Sequence, residues 1–190
     1  MADTDSDKLS DKEELITHLT NPLLADTDGD EFSDGEEILF YLTDANSAAS
    51  KPVAIANYSQ SFETNAINWV HPSGSNAAWA LDSSNASTGS QSLKSGQIGD
   101  YQHSDVLFSG LFATSTLTFD AKVSSESCCD YLNVYLDDVL VLQGITTNSW
   151  MTYSINLPSG EHKIRWSYVK DSSASYGSDA VWIDNISIHP

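Results

Sequence analysis

The clearest pattern along this chain is an alternation of apolar and polar residues in its second half. Between Ser115 and Val123, apolar side chains fall on every second position and polar side chains fall between them. Successive side chains of a β-strand point to opposite faces of the sheet, so this segment is predicted to be a half-buried strand. Other segments that alternate or form apolar β-branched runs are also predicted strands: Tyr131–Leu136, Val139–Ile145, Met151–Leu157, His162–Val169 and Ala180–Ile188.

Weaker strand signals complete the prediction for the second half. They cover Gln60–Glu63, Ala78–Leu81, Gln91–Lys94 and Ser104–Phe108, while Asp137-Asp138 suits a hairpin turn and no helical stretch follows Leu42. Many short strands separated by Gly, Ser and Asn predict a mainly β chain with a β-sandwich. The spacing of Trp166, Tyr168 and Trp182 relative to Ile164 and Ile188 assigns these aromatic side chains to the core faces.

The first quarter of the chain contains one loop pattern twice. The copies run from Asp3 to Glu14 and from Asp26 to Glu37, each with carboxylates at positions 1, 3, 5, 9 and 12 and an apolar residue at position 7. This is the ligand spacing of a calcium loop, in which position 7 contributes its backbone carbonyl and a short helix begins near the final Glu. The predicted ligands are Asp3, Asp5, Asp7, Leu9, Asp11 and Glu14 in the first loop, and Asp26, Asp28, Asp30, Phe32, Asp34 and Glu37 in the second.

Electrostatics indicate that these loops need a cation. Two unit charges about 4 Å apart repel by about 4 kcal/mol at an effective dielectric constant of about 20, so five crowded carboxylates require neutralisation. The predicted ligands are all hard oxygen atoms, which favours calcium as the cofactor over zinc or copper. One position departs from the usual pattern, because Lys8 and Glu31 stand at position 6, where Gly normally permits a sharp turn.

The segments DTDSDKLSDKEEL and NPLLADTDGDEFSDGEEI resemble bacterial thrombospondin type 3 repeats. The resemblance covers about the first 50 residues and implies a calcium-stiffened spacer between modules of a secreted protein. A short run of small residues follows at Asn46–Pro52. We therefore predict calcium-binding repeats over residues 1–50 and a binding module over residues 51–190.

Charge and hydropathy exclude several classes of partner. The net charge is -19, from 27 acidic and 8 basic residues, and residues 1–44 contribute -12 of it. Nucleic acid is not expected as a partner because phosphate binding needs a basic face, and no apolar run has the length of a membrane span.

Calcium loops of this type suit the millimolar calcium outside cells, so we expect a secreted protein. Met1 leads straight into the first loop, and we expect the natural protein to have an upstream domain.

A second resemblance covers nearly all of residues 53–190. The motifs FE at 62–63, GSQSLKSG at 89–96, DYLNVYLDD at 130–138, GEHKIRWSYVKD at 160–171 and VWIDNISI at 181–188 are similar to jelly-roll modules of secreted bacterial polysaccharidases and proteases, and to animal MAM-type adhesion domains. The resemblance implies a structural calcium held by Glu63 and Asp184, with backbone carbonyls near 89–92. The alternative is that Asp184 is a hydrogen-bonded carboxylate at the end of a strand.

The residues indicate binding rather than catalysis. The sequence contains no nucleophile elbow, zinc-protease motif or phosphate loop, and its five His are scattered singly, so we predict a non-catalytic chain. The adjacent Cys128 and Cys129 are compatible with a vicinal disulfide or with two free thiols.

Two strands could present a binding face. The side chains predicted to point away from the core are those of Tyr131, Asn133, Tyr135, Lys163 and Arg165. If the two strands are neighbours, these residues form an aromatic and basic face suited to an anionic or heavily hydroxylated polysaccharide; an ordinary solvated sheet face is the alternative. Further candidates lie near loops: Trp69, Trp79, Tyr101 and Trp150.

Two functions are consistent with these predictions. The first is a non-catalytic carbohydrate-binding module of a secreted polysaccharide-active enzyme, attached through the calcium-stiffened spacer. The second is a calcium-dependent adhesion or protein-interaction module of a secreted protease or surface protein.

Overall fold

The computed structural model describes residues 2–63, 69–126, 128–172 and 176–190. The chain divides into two compact units, Met1–Val53 and Ala54–Pro190. No helix in the described part of the chain is long and apolar enough to cross a membrane.

The N-terminal unit repeats one local structure. Helix α1 spans Asp11–Glu13 and continues as a π-helical turn over Glu14–His18, while α2 spans Asp34–Glu36 and continues over Glu37–Tyr41. Each helix begins with a capping box formed by the N-cap Ser and the Glu three residues later. The Ser hydroxyl accepts a hydrogen bond from the backbone N–H of this Glu, and the Glu carboxylate accepts one from the backbone N–H of the Ser. The capping Ser supplies a partner for an N–H group that would otherwise lack one at the helix start.

The second unit is a sandwich of two antiparallel sheets. The larger sheet contains β1 (Tyr58–Gln60), β2 (Ala80–Asp82), β3 (Ser92–Lys94), β5 (Ser115–Ser124), β8 (Met151–Leu157) and β10 (Ala180–His189). Its order is β2-β3-β10-β5-β8, and β1 also pairs with β10. The smaller sheet contains β4 (His103–Phe112), β6 (Tyr131–Leu136), β7 (Val139–Ile145) and β9 (Gly160–Val169), in the order β4-β9-β6-β7. The predicted fold class, a mainly β chain with a β-sandwich after a segment with short helices, is confirmed.

The strands agree with the alternation to different degrees. The predicted bounds of β6, β7 and β8 are correct, and β5, β9 and β10 differ by two residues or fewer at each end. The prediction for β4 is too short, because the strand continues through Ser109 and Gly110 and pairs with β9 along all ten residues. The hydrogen bonds between β4 and β9 therefore extend the strand beyond the segment that the local sequence predicts. Strand β1 is also misplaced, since it ends at Gln60 rather than beginning there.

The core lies between the inner faces of the two sheets. Leu132 and Val134 of β6 are fully buried, and Trp166 of β9 packs against Phe119 of β5 with ring centroids 5.6 Å apart. This contact joins the two sheets, because the two aromatic side chains come from opposite layers. In the turn before β6, Cys128 and Cys129 form a vicinal disulfide, one of the two states that the sequence leaves open.

The prediction that Trp182 shares the core face of Ile188 is wrong. The pairing of β10 with β5 shifts between Asp184 and Ser187, and Asn185 there has a left-handed backbone with φ 47°. This bulge adds one residue to β10, so the alternation of inward and outward side chains is reversed after it. Ile183 and Ile188 therefore both face the core. Trp182 lies on the outer face, where it is covered instead: its indole Nε1 donates to a carboxylate oxygen of Asp82 at 2.8 Å.

We predict that Leu132→Ala lowers the free energy of unfolding by about 2–5 kcal/mol, because it removes a fully buried side chain and leaves a cavity. Val139→Ala in the paired strand is the control, since Val139 is 65% exposed and its truncation should change stability by less than about 0.5 kcal/mol. Urea unfolding followed by tryptophan fluorescence measures both. Equal losses in the two variants would contradict this assignment of the core.

Candidate functional site

The two acidic loops of the N-terminal unit have closely matching backbones. Position 4 is left-handed in both, at Ser6 and Gly29, and position 6 is left-handed at Lys8 and Glu31, each with φ 85°. Lys8 and Glu31 thus adopt the conformation that Gly usually supplies. A left-handed conformation costs a residue with a Cβ atom about 1–2 kcal/mol, so the sharp turn is kept at some cost in stability.

The first carboxylate of each loop fixes the turn. Asp3 accepts hydrogen bonds from the N–H groups of Ser6 and Lys8, and Asp26 accepts them from Gly29, Asp30 and Glu31. These bonds draw the chain around the carboxylate, so the next two acidic side chains converge. Ligand oxygens within 4.8 Å of one another come from Asp3, Asp5 and Asp7 in the first loop and from Asp26, Asp28 and Asp30 in the second.

Several carboxylate oxygens in these loops are buried without a hydrogen-bond partner. They are both oxygens of Asp5, one oxygen of Glu14, one each of Asp28 and Asp30, and both oxygens of Glu37. A buried, unpaired carboxylate is strongly unfavourable unless a cation or donor neutralises it. Burial and repulsion from neighbouring Asp residues raise the pKa of Glu14 to about 7, and burial also raises the pKa of Glu37. Hard oxygens that converge on one point fit calcium.

Hydrogen bonds hold the carboxylate at position 9 in both loops, and its role as a metal ligand remains a prediction. In each loop its carboxylate accepts from the N–H and hydroxyl of the Thr at position 2: Asp11 from Thr4 at 2.8 and 2.8 Å, and Asp34 from Thr27 at 2.8 and 2.6 Å. These bonds close the loop on itself. Asp34 additionally lies beside carboxylates of the first loop, whereas Asp11 belongs to no acidic cluster within the described residues.

The apolar side chains at position 7 of the two loops differ in burial. Leu9 is buried, whereas Phe32 is half-buried and packs edge to face against Tyr41, with ring centroids 5.7 Å apart. The ligand role predicted for the backbone carbonyls of these two residues remains a prediction.

Glu63 and Asp184 are both hydrogen-bonded to the loop at 87–91. Glu63 accepts from the Gln91 N–H at 2.9 Å, and Asp184 accepts from the Ser87 N–H at 2.9 Å. This is the hydrogen-bonded alternative that the sequence leaves open for Asp184. The two residues belong to no cluster of three potential metal ligands within the described part of the chain, so their metal role remains a prediction.

The five residues predicted to form a binding face lie on adjacent strands. Strands β6 and β9 are hydrogen-bonded neighbours, with Tyr135 directly opposite Arg165. The Arg165 guanidinium lies 3.9 Å from the centroid of the Tyr135 ring, which is a close cation–π stack. Asn133 is buried beside them, and its amide N–H contacts the Tyr135 hydroxyl while its carbonyl accepts from Gly144 N–H. The outer face also holds the half-buried Tyr131 and Lys163.

Sequence reasoning did not assign three acidic residues to this face: two pair with its cations, and a third bonds to the backbone beside them. Lys163 Nζ lies 2.9 Å from Asp138, and the Arg165 guanidinium lies 3.4 Å from Asp105 and 3.6 Å from Asp138. Hydrogen bonding and charge from Lys163 lower the pKa of Asp138. Asp137 accepts from the Lys163 N–H at 2.8 Å. The face is thus a mixture of paired charges around an aromatic ring rather than a basic surface.

No family model and no curated protein sequence matches this chain. Among solved structures, the K1 cleaved adhesin domain of Lys-gingipain from Porphyromonas gingivalis W83 is 15% identical, with 70% of this chain and 97% of that chain covered and a TM-score of 0.50. The CBM22-1 xylan-binding domain from Paenibacillus barcinonensis Xyn10C is 14% identical, with 70% and 92% covered and a TM-score of 0.49. The secreted serine protease VesC from Vibrio cholerae is 19% identical, with 60% of this chain but only 23% of that chain covered and a TM-score of 0.49. At this identity, the likeness to the adhesin domain shows the fold.

Proposed function

We propose that this chain is a non-catalytic carbohydrate-binding module that carries a calcium-binding unit, and that it serves a polysaccharide-active domain of the same secreted protein. The observation that carries the calcium part is the set of buried, unpartnered carboxylate oxygens in the two loops. Calcium would supply the missing positive charge and would be held by the side chains at positions 1, 3, 5 and 12 of each loop. The millimolar calcium outside cells suits loops of this kind, which supports a secreted location.

The glycan part of the proposal rests on the stacked pair of Tyr135 and Arg165. An aromatic ring offers an apolar face for the C–H groups of a sugar, and its hydroxyl offers a polar handle. The neighbouring Lys163 and Arg165 can donate hydrogen bonds to the polysaccharide, and the exposed carboxylate of Asp138 can accept them. Because each cation already has an acidic partner, this surface favours a neutral, hydroxyl-rich polysaccharide over a strongly anionic one.

A second candidate function is adhesion to a protein or cell surface. The observation that favours it is the fold shared with the cleaved adhesin domain of Lys-gingipain. A fold of this kind accommodates many functions, so the choice between the two depends on the ligand of the outer face.

We predict that calcium is required for the order of the N-terminal unit. A ligand at about 100 times its dissociation constant stabilises the folded form by about 2.7 kcal/mol, and chelation removes this contribution. In a chelator, limited proteolysis of the full chain should cut within residues 3–44 while the β-sandwich stays intact. Magnesium at the same concentration is the control, because it demands strict octahedral geometry and retains its waters. Equal resistance to the protease with and without chelator would rule out calcium-dependent order.

We predict that Tyr135→Ala weakens polysaccharide binding by at least about tenfold, since a stacking aromatic side chain often dominates binding energy. Affinity electrophoresis in gels that contain neutral xylan, neutral β-glucan or polygalacturonate measures binding and distinguishes neutral from anionic ligands. Tyr176→Ala is the matched control, because Tyr176 is 64% exposed and lies outside this face.

The melting temperature is measured in parallel with both tyrosine variants. It should change little in each, because neither side chain belongs to the core. Unchanged retention of Tyr135→Ala in a gel that retards the unmodified chain would show that this face is not the glycan site. Retardation by polygalacturonate alone would contradict the preference for a neutral ligand.

A further inference from the structure

An acidic cluster connects the two calcium loops. Asp7 and Glu14 come from positions 5 and 12 of the first loop, and Asp34 comes from position 9 of the second. Ligand oxygens of the three residues lie within 4.8 Å of one another. Glu14 and Asp34 are fully buried, and Asp7 is 4% exposed. The second repeat therefore places a carboxylate beside the residues that would hold the ion of the first.

An unpartnered oxygen independently points to a cation in this cluster. One carboxylate oxygen of Glu14 is buried with no hydrogen-bond partner, and the other lies 3.4 Å from the hydroxyl of Thr20. Donors reach both oxygens of Asp7 and of Asp34, whereas Glu14 has only this one contact within the described residues. A buried carboxylate oxygen without a donor is strongly unfavourable unless a positive charge is close. A hard divalent cation bound by oxygens is the chemistry that removes this cost.

The backbone of the second repeat fixes this arrangement. The N–H of Gly35 donates to an Asp7 carboxylate oxygen at 2.8 Å. A Cβ atom at Gly35 would lie 1.9 Å from the backbone oxygen of Asp7, so only glycine permits this approach. Asp30, which occupies the equivalent position in the second loop, instead retains an unpartnered carboxylate oxygen.

We propose that Asp34 of the second repeat completes the ion site of the first loop, so that the first site depends on the second repeat while the second site does not depend on the first. This inference rests on the proposed function, that both loops bind calcium. The dependence is one-directional because Asp34 lies in the cluster between the loops. Its counterpart Asp11 belongs to no such cluster among the described residues, and Thr4 of the same loop holds its carboxylate.

The test is a calcium titration of the full chain followed by amide NMR. The Ser6 N–H, which donates to Asp3, reports the first site, and the Gly29 N–H, which donates to Asp26, reports the second. Asp34→Asn removes the charge but preserves the size and the capacity to bond to Thr27. We expect this variant to weaken the first site, read at Ser6, by at least about tenfold, because ligand charge sets the affinity of such sites.

Two controls separate a ligand role from a structural one. Asp11→Asn makes the same change at position 9 of the first loop, and it should alter the second site, read at Gly29, by less than about threefold. Asp28→Ala removes a predicted ligand of the second loop that lies outside the shared cluster. It should weaken the first site less than Asp34→Asn does.

The outcomes distinguish this inference from the proposed function. An unchanged titration of Ser6 in Asp34→Asn would overturn the shared site while leaving two calcium loops in place. Equal weakening by Asp28→Ala and Asp34→Asn would also overturn it, since the dependence would then come from folding of the second repeat. The absence of any calcium titration at both amides of the unmodified chain would instead refute the calcium-binding function itself.

Discussion

The constraint on which this structure depends most is that a buried carboxylate needs a partner. Transfer of an unpaired charge out of water costs far more than a folded domain's net stability can absorb. Several buried carboxylates of the β-sandwich meet this requirement from within the unit. Asp179, for example, accepts from the buried Lys170 ammonium and from the Tyr168 hydroxyl. Among the described residues, several carboxylate oxygens of the N-terminal loops are buried with no hydrogen-bond partner, which supports the proposal that these loops bind calcium.

The same constraint explains the outer faces of the sheets. Asp105 is almost completely buried on the smaller sheet, where it accepts from the Ser167 hydroxyl at 2.6 Å and contacts Arg165. On the larger sheet, Asp184 is buried beneath the loop at 87–91, which donates two N–H groups to it. In both sheets an acidic side chain on the outer face is buried and hydrogen-bonded. A position on the outer face is therefore not always exposed to solvent. A ligand for the smaller sheet must therefore bind to groups that already have partners.

The sequence allowed much of the fold to be predicted, because the relevant signals are local. Alternation predicts β6 and β8, an apolar β-branched run predicts β7, and the repeated spacing of carboxylates predicts the two loops. The features that were not predicted depend either on the pairing of distant segments or on the backbone conformation of a single residue. The bulge at Asn185 reverses the side-chain parity of β10, which placed Trp182 on the wrong face. The proximity of Asp105 to Arg165 requires the pairing of β4 with β9, which no local pattern encodes.

Different segments of the chain cover the two acidic loops. The first loop is covered by Gly35 and Asp34 of the next repeat. The second loop is covered by the segment 44–51, in which Lys51 Nζ donates to the backbone oxygen of Asp30 at 2.7 Å. A backbone hydrogen bond from Ser47 also reaches the Asp28 carboxylate. Terminal units of repeat proteins commonly need such a cap, because they lack the neighbour against which inner repeats pack. Here the cap contributes a cationic donor where the next repeat would contribute a carboxylate. On the proposed scheme, the two sites therefore differ in charge although their loops have the same spacing, because one loop is covered by a second repeat and the other by a lysine-bearing linker.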